Sequence, residues 1–152
     1  MNTIKMERFT IVGIAVRTSN RNGQAAQDIP ALWQRFLAEQ VAARIPGKVD
    51  ETVYSVYTEY EGDYTQPYTT VLGCRVYDAA QVPEDMKAIT IDAGRYTRVQ
   101  AKGSLDAGIV YQAWTGIWNS DMPRAYTADY EVYGPKAQDP ANAEVDIFIA
   151  LK

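Results

Sequence analysis

The sequence predicts an α+β fold in which an antiparallel-dominated sheet carries two long helices on one face, built by tandem duplication of a strand–helix–hairpin module. Runs rich in aromatic and β-branched residues alternate with turn-forming pairs. Two segments place apolar residues at helical spacing. The order strand, helix, hairpin then occurs twice, in pseudo-repeats at about residues 6–80 and 86–152. Either half alone has a small core, and fusing both into one sheet buries far more, so residues 1–152 read as a single domain.

Residues 7–18 (ERFTIVGIAVRT) are apolar on both faces in their middle, as an interior strand requires, and Gly13 marks a bend or a close approach. Residues 19–27 (SNRNGQAAQ) read as a loop. Asp28 then caps a helix with Pro30 in its first turn, where the missing N–H costs little. Leu32, Trp33, Phe36, Leu37, Val41 and Ile45 form its apolar stripe, and Pro46-Gly47 stops it. Residues 53–61 (VYSVYTEYE) and 68–78 (YTTVLGCRVYD) make a hairpin, and 79–86 a linker.

The second half follows the same plan. Residues 88–101 (AITIDAGRYTRVQA) are read as one strand with Gly94 inside it, and Ser104 as the cap of a helix over 104–119. Leu105, Ile109, Val110, Ala113, Trp114, Ile117 and Trp118 are its stripe. Strands over 126–133 and 143–151 complete a second hairpin. By position, Gly94 matches Gly13, Trp114 matches Trp33, and Asp-Tyr-Glu131 matches Glu-Tyr-Glu61.

Composition narrows the function. Net charge is -4 and no Lys/Arg-rich block stands out, so the footprint of a nucleic-acid binder is missing. No apolar run approaches the ~20 residues of a membrane span, and the N-terminus lacks the apolar stretch of a signal peptide. With one cysteine, Cys74, there is no internal disulfide, and a cytoplasmic protein is expected. The chain has no histidine, which removes Ser-His-Asp and Cys-His catalysis and histidine-containing zinc sites; no metal or cofactor is expected. The excess lies in tyrosine, eleven against three Phe and three Trp, a residue that suits both sheets and wet binding surfaces.

The strand at 126–133 (YTADYEVY) carries the candidate site. Alternation puts Tyr126, Ala128, Tyr130 and Val132 on a core side, and Thr127, Asp129, Glu131 and Tyr133 on a side open to solvent or ligand. A carboxylate among aromatic rings is costly to bury alone, and a cation between carboxylate and rings offsets that cost. Glu131 leads, with Asp129 and Tyr133 beside it. Tyr57, Glu59 and Glu61 share the corresponding face of the matching strand. Tyr96 and Trp118 are free to line a cleft, whereas Trp33 and Trp114 lie within apolar stripes, which favours the core for their rings over the ligand-binding wall. Arg17, Arg95 and Arg98 read as solubilising strand ends, and Cys74 as a buried, inert thiol.

The two strand–helix–hairpin halves, the Asp-Ile-Pro-Ala-Leu-Trp-Gln-Arg-Phe helix start, the Glu-Gly-Asp-Tyr turn, the Ile-Asp-Ala-Gly-Arg-Tyr strand and Asp-Tyr-Glu-Val-Tyr together resemble the gyrase-inhibitory-protein-like (GyrI-like), AraC-type effector-binding domains, and among them the integron-cassette proteins. The resemblance spans almost the whole chain. It implies two pseudo-symmetric modules enclosing a cleft, in which a glutamate on the penultimate strand, here Glu131, and surrounding aromatic side chains meet organic, often cationic ligands. Many such relatives carry a DNA-binding domain before this module, whereas this chain opens on the module itself, so direct nucleic-acid contact is not expected. The expected function is a stand-alone small-molecule-binding protein for amphipathic organic cations. Two alternatives stay open: a small-molecule hydrolase of the same fold with Glu131 as general base and a tyrosine as acid, and a protein-interaction role of the gyrase-inhibitor type.

Overall fold

The structure, a computed structural model, describes residues 2–152. Its elements are β1 (Ile4–Met6), β2 (Phe9–Thr18), α1 (Gln24–Ala38), α2 (Val41–Arg44), β3 (Val53–Thr58), β4 (Tyr68–Val76), β5 (Lys87–Ile91), β6 (Gly94–Gly103), α3 (Ile109–Trp118), β7 (Ala128–Tyr133) and β8 (Ala143–Ala150). All eight strands join one antiparallel sheet in the order β1-β6-β8-β7-β3-β4-β2-β5.

Connectivity forces this sheet to curl. β1 and β2 lie six strand spacings apart, which in a flat sheet is about 29 Å. Yet only Glu7 and Arg8 link them, and the three Cα steps from Met6 to Phe9 reach at most about 11 Å. The link Asp92-Ala93 between β5 and β6 imposes the same closure on strands equally far apart. The sheet is therefore a half-barrel, and its concave side packs Phe9, Ile11, Val56, Val71, Ile91, Tyr96 and Tyr130.

The two halves of the sheet have matching orders, β5-β2-β4-β3 and β1-β6-β8-β7, and meet through the β3–β7 pair. Each takes its edge strand from the other half of the sequence. Residues 88–101 are accordingly not one strand: the chain leaves β5, paired with β2, and crosses at Asp92-Ala93 to β6, paired with β1 and β8. Gly94 opens β6 and is not the counterpart of Gly13, which lies in mid-strand opposite Gly73. Those two glycines explain each other, since a Cβ on Gly13 would fall 2.1 Å from the Leu72 carbonyl oxygen and one on Gly73 2.1 Å from that of Val12.

Both helical regions cover the convex face, as expected. Leu32 and Phe36 of α1 and Val41 of α2 pack on Val12, Ile14, Leu72 and Cys74, while Trp114 and Ile117 of α3 pack with Ile147, Ile149, Tyr57 and Tyr68. α1 sits over β2 and β4, and α3 over β6. The central strands β3 and β7 are left between them, and there the cleft forms.

The helices depart from the sequence reading at their ends. α1 begins at Gln24, after a 3-10 turn and a left-handed Gly23 (φ 70°), so Asp28 lies inside it, accepting hydrogen bonds from Thr18 Oγ1 (2.9 Å) and Gln24 Nε2 (3.1 Å). It ends at Ala38, and left-handed Gln40 (φ 50°) separates it from the single turn of α2. Ser104 makes no capping bond, because residues 105–107 form a 3-10 turn and Gly108 (φ 74°) restarts the chain as α3. No helix among the described residues is long and apolar enough to cross a membrane.

Candidate functional site

On β7 the alternation read from the sequence holds between Ala128 and Tyr133: Ala128 and Tyr130 enter the concave core, whereas Asp129 and Glu131 face the convex side. Tyr126 is excluded from the strand by its left-handed backbone (φ 56°) and packs instead against Tyr60. Between α1, α3 and the β3–β7 pair lies a cavity of about 440 Å³. Half of its lining residues are aromatic: Trp33 from α1, Trp114, Trp118 and Tyr111 from α3, Tyr57 from β3, Tyr133 from β7, Tyr60 and Tyr64 from the β3–β4 connection, and Tyr68 from the start of β4. It reaches solvent past Ala26, Pro30 and Tyr111, which are exposed.

Glu131 lies in this wall with 2 % of its surface exposed. Its Oε2 accepts hydrogen bonds from the Tyr57 hydroxyl (2.6 Å) and the Trp114 indole N–H (2.7 Å), and its Oε1 accepts one from the Tyr133 hydroxyl (2.6 Å). All three donors are neutral. Burial raises the Glu131 pKa above the ordinary carboxylate value, and the three hydrogen bonds oppose that shift without cancelling it. The same environment pushes the Tyr57 and Tyr133 hydroxyls far up, so both remain protonated donors.

Asp129, fully buried two residues earlier, has a different environment. It accepts from Arg124 Nη2 (2.8 Å), the Tyr60 hydroxyl (2.6 Å) and the Ala150 backbone N–H (2.9 Å). Arg124 neutralises it within the protein, and Asp129 is not in the cavity wall.

Of the other candidates, Tyr57, Tyr133, Trp33, Trp114 and Trp118 are brought together around Glu131, while Glu59, Glu61 and Tyr96 are not. The cause at Glu59 is a left-handed backbone (φ 50°), which ends β3 at Thr58 and breaks the alternation. Glu59 turns to Thr69 (2.7 Å) and Lys87 (3.0 Å), Glu61 pairs with Arg17 (2.9 Å), and Tyr60 swings into the cleft instead. The match between Glu61 and Glu131 therefore fails: the residue opposite Glu131 on β3 is Ser55. Tyr96 points to the concave core, packed edge-on against Tyr130.

Reading the sequence missed Tyr60, Tyr64, Tyr68 and Arg124. The first three recur every fourth residue across what read as a polar turn, a spacing that the prominence of tyrosine in this chain makes a usable signal. Arg124 sits in an irregular segment with no such signal. Tyr64 stacks on Trp118 (centroids 5.9 Å apart), and Asn20, just before the 3-10 turn that leads into α1, holds this segment by donating to the Tyr64 carbonyl (2.9 Å) and accepting from the Tyr68 hydroxyl (2.6 Å). Burial raises the Tyr68 pKa to about 12.

Comparison with known proteins places this geometry in a family. Residues 4–151 match the Cass2 family, described as integron-associated effector binding proteins. The chain belongs to this family. A putative transcriptional regulator protein of Bacillus subtilis (strain 168), YobU, is 29% identical over 154 residues, covering 98% of this chain and 94% of the relative. The crystal structure of an integron cassette protein from the mobile metagenome of Vibrio cholerae superposes with a TM-score of 0.78 at 28% identity, covering 99% of this chain and 95% of the other. A protein solved bound to tetraphenylphosphonium, SAV2435, shares the fold at a TM-score of 0.80 and 17% identity, over 99% of this chain and 93% of that one. The chain is thus a member of an effector-binding protein family, and its own half-barrel carries the cavity on its convex face.

Proposed function

We propose that this Cass2 protein binds amphipathic organic cations in the aromatic cavity, with Glu131 selecting the charge. One observation carries the reading: a buried carboxylate in the cavity wall is hydrogen-bonded only by neutral donors, while its neighbour Asp129 already has a cation. An ionised Glu131 without a counter-charge is costly in a low-dielectric site, and a ligand cation supplies that charge. The surrounding rings add cation–π attraction of about 0.5–2 kcal/mol per contact, with little demand on ligand shape. Tolerance of varied apolar groups follows. The tetraphenylphosphonium on a protein of the same fold is a ligand of this type. Glu131 suits charge selection better than general-base chemistry, because three donors already hold both its oxygens and stabilise its ionised form.

The test is fluorescence titration, read on Trp33, Trp114 and Trp118, with a permanently charged aryl ammonium and its uncharged isostere, followed by mass analysis of the recovered compound. The reading expects clear preference for the cation and recovery of intact compound. Equal affinity removes charge selection, and a hydrolysed product replaces binding with catalysis.

A further inference from the structure

A second polar feature of the cavity has no role in charge selection. Arg124 is 4 % exposed, belongs to the cavity wall, and uses one nitrogen, Nη2, to hold Asp129 at 2.8 Å. Its Nε and Nη1 are also buried and have no hydrogen-bond partner among the described residues. The guanidinium is fixed by aromatic faces, 4.4 Å from the Tyr126 ring centroid and 5.7 Å from that of Trp114. The Trp114 indole is the group that donates to Glu131, so one side chain touches both polar features.

Buried donors of a charged group are satisfied in nearly all folded proteins. Asp129 already balances the charge of Arg124, so what the guanidinium lacks is an acceptor atom and not an anion. We infer that Arg124 forms an acceptor subsite, and that the preferred ligands are cations bearing a neutral oxygen acceptor, such as a ketone, amide or ester carbonyl, spaced from the charged group so that the two reach Arg124 and Glu131 together. This rests on the cation reading and narrows its ligand class. The aromatic wall tolerates many apolar shapes, whereas two fixed polar points a set distance apart restrict which cations bind tightly.

Three compounds separate the two readings: an aryl-ketone quaternary ammonium, the same cation with the ketone replaced by methylene, and the uncharged carbon isostere of the ketone. Each is titrated calorimetrically into the wild-type protein and into Arg124→Lys, which keeps a positive charge for Asp129 and removes the planar fork. In wild type the ketone cation is expected to bind about tenfold or more tighter than the methylene cation, since a donor left unmatched in a dry site discriminates strongly. In Arg124→Lys that ratio falls to about twofold or less, whatever the change in the absolute affinity of either cation. A wild-type ratio near one overturns the acceptor subsite even if Arg124→Lys does not fold, and so does a ratio that survives in a folded Arg124→Lys. If the neutral ketone binds as well as the ketone cation, charge selection fails while the ratio still reports on Arg124. Binding of none of the three overturns both.

Discussion

Trp114 on α3 donates its indole N–H to Glu131 on β7 at 2.7 Å, joining a helix to the central strand pair across the cavity wall. This bond is one of three that favour the ionised carboxylate. Trp114→Phe keeps most of the ring and removes the donor. The Glu131 pKa should then rise further, and affinity for an organic cation should fall by about 1–3 kcal/mol, more strongly at mildly acidic than at alkaline pH. Calorimetric titration of the variant at two pH values reads both effects, and an unchanged affinity at each would separate the indole from the charge at Glu131.

Glu131 should also shape stability in the absence of ligand. Its folded-state pKa is raised, so the folded protein holds this proton more tightly than the unfolded chain does. The contribution is fully present below the ordinary carboxylate pKa and is lost as pH rises through the raised value. Denaturant unfolding of wild type against Glu131→Gln across that window should show the wild type losing stability relative to the variant as pH increases. The opposite slope would mean that the carboxylate has a cationic partner within the fold.

Asp129 predicts a different phenotype from the same strand face. Asp129→Asn leaves the charge of Arg124 buried without its partner, at a cost of about 3–5 kcal/mol. Thermal unfolding should shift down by roughly 6–20 °C, while the preference for cations over uncharged isosteres is retained in the folded fraction. Loss of that preference with unchanged stability would exchange the roles assigned to Asp129 and Glu131.

The paired glycines make a prediction about the fold alone. Gly13→Ala drives a methyl group into the Leu72 carbonyl, which is backbone and cannot swing away. Destabilisation of about 3 kcal/mol or more is expected, measured by urea unfolding. A variant as stable as wild type would show that β2 and β4 can separate at this point without loss.

The cavity was partly legible in the sequence because its central strand obeys the simplest rule available. Strand alternation alone puts Asp129, Glu131 and Tyr133 together, and helical periodicity places Trp33, Trp114 and Trp118 on faces toward the sheet. The division of labour between the two carboxylates was not legible, since it depends on Arg124, which reaches Asp129 from an irregular segment. Tyr60 was hidden for a related reason: a left-handed glutamate at 59 reverses the face of everything after it, and no glycine or asparagine announces the reversal. The split between β5 and β6 was invisible because both strands share one β-rich pattern, interrupted only by Asp92-Ala93. Strand identity comes from local pattern, and strand partners from closure of the whole sheet.

Charge selection by Glu131 is tested most directly by calorimetric titration of tetraphenylphosphonium, whose charge does not depend on pH, into wild type and Glu131→Gln over a series of pH values. Wild-type affinity should be full above the raised Glu131 pKa and decline as pH falls through it, because protonation removes the partner charge. Glu131→Gln should bind ten- to a hundredfold more weakly at alkaline pH, about 1.5–3 kcal/mol, with little dependence on pH. Equal affinities in the two proteins, or a wild-type affinity independent of pH, would contradict the account.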